Sequence, residues 1–172
     1  MMKRLSSIIT IALIVLVTLG AAAKTPKAED CAIPFEKLVN VIASSGHWSE
    51  ENLSAIGLAK VVSRTAQEEF GESTTYVYGQ NVKCRITEDW EVNLSAKGLH
   101  AFAIVVTLMT DNSTELYFME KADHDAFMEC VRQSSEYRQD EGSEYNEEFL
   151  GENYIQSDEY RNGWYVVTFH VG

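Results

Sequence analysis

The chain is short of nearly everything that marks a catalytic or metal-binding sequence. It has three cysteines and four histidines in 172 residues. None of them falls at the C-x₂-C or H-x₃-H spacing that places two ligands on one metal ion. A G-x-S-x-G elbow and an S-x-x-K motif are both missing, so no nucleophile is announced. Basic residues are scarce: 14 Lys and Arg stand against 26 Asp and Glu, for a net charge of −12. They form no run. Binding to nucleic acid by counterion release needs clustered Lys and Arg, and a strongly acidic chain repels polyanions and anionic lipid surfaces. The sequence therefore predicts no nucleic-acid partner, no cofactor, no metal site and no catalytic residue set.

Long apolar runs are also rare, and the one present is informative. Lys3 and Arg4 precede an uncharged stretch from Leu5 to Leu19, followed by Gly20-Ala21-Ala22-Ala23. Basic, then apolar, then small is the order of a secretory signal peptide, which assigns residues 1–23 to a segment cut after Ala23. A membrane anchor needs about 20 apolar residues, which this run just reaches. It lacks the Lys/Arg stop cluster that would hold it there. A lipid anchor at Cys31 is excluded because Ala28-Glu29-Asp30 is no small apolar cleavage box. The expected location is secreted or periplasmic, with no stable membrane insertion after cleavage. Cleavage leaves about 150 residues, an ordinary size for one domain. Residues 24–33 read as a flexible leader and 34–172 as a single α+β domain.

Pro34 suits the first position of a helix, where its missing N–H costs nothing. Phe35, Leu38, Val39 and Ile42 then form one buried stripe. Ser49 can cap a second helix above Glu50 and Glu51, and Gly57 can stop it. Leu58, Val61, Val62 and Ala66 predict a helix over 58–70, although Ala59, Val61, Ser63 and Thr65 also alternate. From Thr74 to Ile86 the period is two, with a break at Gly79. Trp90–Ala96, Lys97-Gly98 and Leu99–Thr110 read as a hairpin. Residues 101–106 are apolar on both faces, which marks a central strand. A strand over 115–120, a helix over 122–134 and a hairpin at Arg161-Asn162-Gly163 complete the pattern. The expected fold is α+β, with N-terminal helices packed on an antiparallel sheet, then a further helix and a C-terminal β-hairpin.

Three features carry candidate function. Tyr154, Tyr160, Trp164 and Tyr165 crowd the last hairpin and could contact a ligand or partner, although alternating aromatics are also the usual cross-strand packing of a sheet. Cys84 alternates with Val82 and Ile86, and Cys130 shares a helical stripe with Phe127 and Val131. A Cys84–Cys130 disulfide is one expectation for an exported chain; a pair with Cys31, or none, are the others. His124 between Asp123 and Asp125 is the densest group of polar ligands, but acids in a first helical turn also satisfy free N–H groups and the macrodipole. The acidic stretch at 140–148 lacks the calcium-loop pattern and reads as solvated surface. Asn52, Asn93 and Asn112 head N-glycosylation acceptor triplets, which matter only in a eukaryotic secretory pathway.

The sequence thus predicts an exported small acidic domain that binds an unknown protein or small ligand without catalysis. A small secreted hydrolase using acidic residues, with 136–159 lining its cleft, is the alternative from another class. A structural accessory subunit is the third.

Overall fold

The computed structural model describes residues 33–43, 49–68, 71–108, 113–139, 148–150 and 153–171. The 1–23 segment, the leader up to residue 32 and the acidic stretch at 140–147 lie outside them. Ile33, the last residue of the expected leader, is buried in the core.

Helix α1 (Phe35–Ala43) and helix α2 (Glu50–Ala55) begin as the capping residues predict. The Ser49 hydroxyl accepts a hydrogen bond from the Asn52 N–H at 3.1 Å. Gly57 leaves α2 at φ +89°, a conformation that favours glycine. Strands β1 (Ala59–Glu68), β2 (Gly71–Gln80), β3 (Val82–Ile86), β4 (Val92–Ala96), β5 (Phe102–Leu108) and β6 (Ser113–Phe118) follow. Helix α3 (Lys121–Gln133), two short strands β7 (Arg138–Gln139) and β8 (Glu148–Leu150), and the hairpin β9 (Asn153–Arg161) and β10 (Trp164–Val171) complete the chain. The fold is α+β: N-terminal helices, a central antiparallel sheet, a later helix and a C-terminal hairpin.

The main sheet runs β1-β2-β5-β6-β10-β9-β8-β7, and every recorded pair is antiparallel. Strand β5 lies between β2 and β6, with both faces buried, as its unbroken apolar run predicts. Phe102, Ile104 and Val106 point to the helices, where Phe35 meets Phe102, Phe118 and Phe127 edge-on at 5.8–6.3 Å. Burying one such ring is worth roughly 1.5–3 kcal/mol. Ala101, Ala103 and Val105 point the other way, into a second cluster with Val77, Trp164 and Val166. Strands β3 and β4 form a separate two-stranded ribbon that packs on this second face through Val82, Cys84, Ile86, Val92 and Leu94.

Two sequence expectations need correction. Residues 59–68 are an edge strand, not a helix. Strand β4 pairs with β3 rather than with β5, so the Lys97-Gly98 segment joins two sheets instead of closing a hairpin. The turn that does close the ribbon is Thr87–Glu91. There the Thr87 N–H donates to the Glu91 carbonyl and the Glu91 N–H to the Thr87 hydroxyl, at 3.0 and 3.1 Å.

Candidate functional site

One end of the main sheet gathers several exposed apolar side chains and three non-glycine residues of positive φ. There β5 begins, β6 ends and the β9–β10 hairpin turns, as the cross-strand row Phe102–Phe118–Tyr165–Tyr160 fixes. Four strands side by side make this end about 15 Å wide. Leu99, Met119 and Tyr160 are exposed here; Leu108, the other large exposed apolar side chain among the described residues, lies at the opposite end. Asn81, His100 and Asn162 also sit at this end with φ near +50°, a region that side-chain-bearing residues rarely occupy.

Leu99 is 73 % exposed, yet its loop is tied down on both sides. Asn81 Nδ2 donates to the Leu99 carbonyl at 2.9 Å, and the Lys97 N–H donates to the Asn81 carbonyl at 2.7 Å. On the other side His100 Nδ1 lies 3.0 Å from both carboxylate oxygens of Asp123. A carboxylate is an acceptor, so Nδ1 carries the proton and donates. The Asp123 side chain is only 6 % exposed, whereas that of His100 is 40 % exposed. Asp123 stands in the first turn of α3, where the helix N-terminus favours negative charge. The His100 Nε2 meets no hydroxyl or thiol among the described residues. The pair joins the loop to α3.

The next residues of α3 extend this region. His124 Nδ1 lies 3.2 Å from Asp125, and its ring packs on Phe118 and Tyr165 at 5.8 and 5.7 Å. Lys121 reaches both Asp125 oxygens at 2.7 Å. Partial burial alone would raise the Asp125 carboxyl, but the hydrogen bonds and charges of Lys121 and His124 outweigh it and hold it below its ordinary value. Tyr165 in turn meets Tyr160 at 5.0 Å. Behind the sheet, Arg161 donates to Glu115 at 2.6 Å and stacks over the Tyr117 ring, which ties the last hairpin to β6.

The four aromatics of the last hairpin therefore have different fates. Tyr160 is 62 % exposed and Tyr165 half-buried beside it. Trp164 faces the second core cluster, edge-on to Tyr117, and offers no surface to a ligand. The Tyr154 side chain lies outside the described residues. Cys84 and Cys130 are both free thiols, and they lie on opposite faces of the sheet. The expected Cys84–Cys130 bond is thus not formed; a layer of strands separates the two sulfurs. Burial pushes the Cys84 thiol up to about 11. Cys130 is also raised, by burial first and then by the charges of Glu36 and Glu129.

A second feature lies elsewhere. Between α1 and the end of α3 is a depression of about 320 Å³, lined on one side by Glu36, Val39 and Asn40. No group of three or more His, Cys, Asp or Glu side chains among the described residues is arranged to hold a metal ion. None of the described helices is long and apolar enough to cross a membrane.

No family model matches the chain, and neither the curated proteins nor the solved structures searched hold a significant match.

Proposed function

We propose that this chain is an exported, non-catalytic binding domain that engages a partner protein at the end of the sheet carrying Leu99, Met119 and Tyr160. The observation that supports it best is Leu99. A large apolar side chain stands in solvent on a loop clamped by Asn81 on one side and by His100–Asp123 on the other. An anchor whose loop is already ordered loses little further freedom on binding, which is what a dominant interface contact requires. Its neighbours spread over about 15 Å of strand ends, a footprint suited to a protein rather than to a small molecule enclosed in a pocket. The signal peptide read in residues 1–23 supports export.

The hydrolase reading has less behind it. Of the 136–159 stretch, the side chains from 139 onward lie outside the described residues; Glu136 borders the depression between α1 and α3 together with Glu36, and both side chains are exposed. A carboxyl that must stay protonated to act as general acid is held so by burial or by a like charge close by, and water around both side chains weakens either effect.

The test is the size of the native species. In the exported fraction of producing cells, the wild-type chain is expected to elute in a complex larger than the monomer. Leu99→Ser and Tyr160→Ser are expected to shift it to monomer size, and Asn93→Ser on the exposed face of β4 is not. A wild-type chain that runs as a free monomer there, or variants that all keep the complex, would overturn the reading.

A further inference from the structure

We propose that the depression between α1 and α3 is a binding site for a small organic cation, specifically an alkylammonium group. This inference does not depend on the sheet-end reading. Its volume of about 320 Å³ is at the lower end of the range for ligand pockets.

The lining is one-sided in charge. Glu36, Val39 and Asn40 occupy a single face of α1, at the i, i+3, i+4 spacing. From α3 come Cys130 and Gln133, and the chain then wraps the opening with Ser134, Ser135 and Glu136. Two carboxylates therefore face the space, and among the described residues no Lys, Arg or His lines it. Neither Glu36 nor Glu136 has an ion-pair partner among the described residues. Arg132, the one base in the last turn of α3, is engaged with Glu129 at 3.3 Å.

The backbone adds to this. The depression lies at the C-terminal end of a 13-residue helix, where unsatisfied carbonyls concentrate partial negative charge and favour a cation. Amide and hydroxyl oxygens from Asn40, Gln133, Ser134 and Ser135 supply further acceptors for the three N–H bonds of an ammonium group. The field is felt by a neighbour: after burial, the charge of Glu36 is the next cause raising the Cys130 thiol. The half-buried Cys130, beside Val39, which is only 2 % exposed, gives an alkyl stem a small apolar contact in a lining that is mostly polar.

The experiment is an amide NMR titration of the mature chain with n-butylammonium chloride and with a short lysine-containing peptide. n-Butanol and sodium chloride serve as controls. Saturable shifts confined to Glu36, Asn40 and residues 133–136 are expected, weakening as salt is added. Binding by both probes, or by either alone, supports the ammonium site. A free amine is then the occupant if only butylammonium binds, and a partner's lysine side chain if only the peptide does. Glu36→Gln and Glu136→Gln, both at exposed positions, are each expected to weaken binding about tenfold. Ser135→Lys places a tethered ammonium at the opening and is expected to abolish it, with melting curves confirming that each variant folds. Shifts that spread over the acidic surface without saturating, or glutamine variants that titrate like wild type, would overturn the proposal.

Discussion

Gly79 offers the sharpest test of how the two layers of strands fit together. It lies in β2 opposite Ala103 of β5, on the face that receives the β3–β4 ribbon. The chain leaves β2 at Gln80, reverses at Asn81 with φ +52°, and returns as Val82 directly over Gly79. A Cβ built on Gly79 would meet the Val82 Cγ1 methyl and stand 2.6 Å from the Phe102 carbonyl oxygen. The first clash could be relieved by a rotamer change, but the second is with backbone in the neighbouring central strand. Overpacking of this kind costs about 1–3 kcal/mol. At this chain length each kcal/mol lowers Tm by roughly 3–4 °C, so Gly79→Ala is expected to melt about 3–12 °C below wild type. Urea unfolding is expected to show a lower midpoint at unchanged slope. Gly98→Ala is the matched control, because nothing lies within 4 Å of its Cβ. It is expected to be neutral or to stabilise by up to about 1 kcal/mol through the unfolded state. If Gly79→Ala melts with wild type, the ribbon does not pack on β2 as described.

Gly57→Ala meets no atom either, but φ is +89°, so a cost of about 1 kcal/mol is expected in urea unfolding from strain alone. His100→Ala leaves the buried Asp123 carboxylate one donor short; a loss of about 1–3 kcal/mol and faster amide exchange at residues 98–100 are expected. The pH dependence of stability follows from four groups that move the same way. Cys84, Cys130, Tyr78 and Tyr137 are all raised, with burial the first cause in each. The folded state then holds protons that the unfolded chain releases, so stability is intact below pH 9 and falls as pH rises from 9 through 11. Asp125 works in the opposite sense: its folded value is lowered, so its contribution is present above its ordinary value of 3.8 and is lost as pH falls below that. Melting curves across pH 3–11 check both limbs, and Cys84→Ala is expected to flatten part of the alkaline one.

How much of this is legible in the sequence depends on what each signal is made of. Strand β5 and the last hairpin are readable because their causes are local: a run that is apolar on both faces, and an Asn-Gly turn whose Asn162 and Gly163 do adopt positive φ. Strand β1 is blurred for a physical reason. As an edge strand it is only half-buried, and a register shift between Lys60 and Val62 lets Val61 and Val62 both pack on the second cluster. That breaks the alternation a strand should show and imitates a helical pair. The misassigned hairpin has a similar origin. Lys97-Gly98 carries a turn's composition, whereas the turn that forms places Trp90 at φ +65° beneath the Arg64 guanidinium at 4.6 Å, which no local rule announces.

The candidate sites are less legible. Tyr160 is visible as an exposed-aromatic candidate, and Trp164 is not separable from it, because which face of β10 meets the ribbon is decided by tertiary packing. His100 and Asp123 are 23 positions apart, so their clamp has no sequence motif. Leu99 looks like any core leucine. The polar depression joins α1 to the end of α3 across most of the chain, and only the fold brings Glu36 beside Glu136.

The account rests most heavily on the clamped Leu99 loop being a contact surface of an exported chain. A photo-cross-linking residue placed at 99, with another at 93 on β4 as control, measures this in the producing cell. A discrete protein adduct from position 99, carried on material that begins at Lys24, is the expected result. Equal labelling from the two positions, or adducts found only on chain that retains Met1, would contradict it.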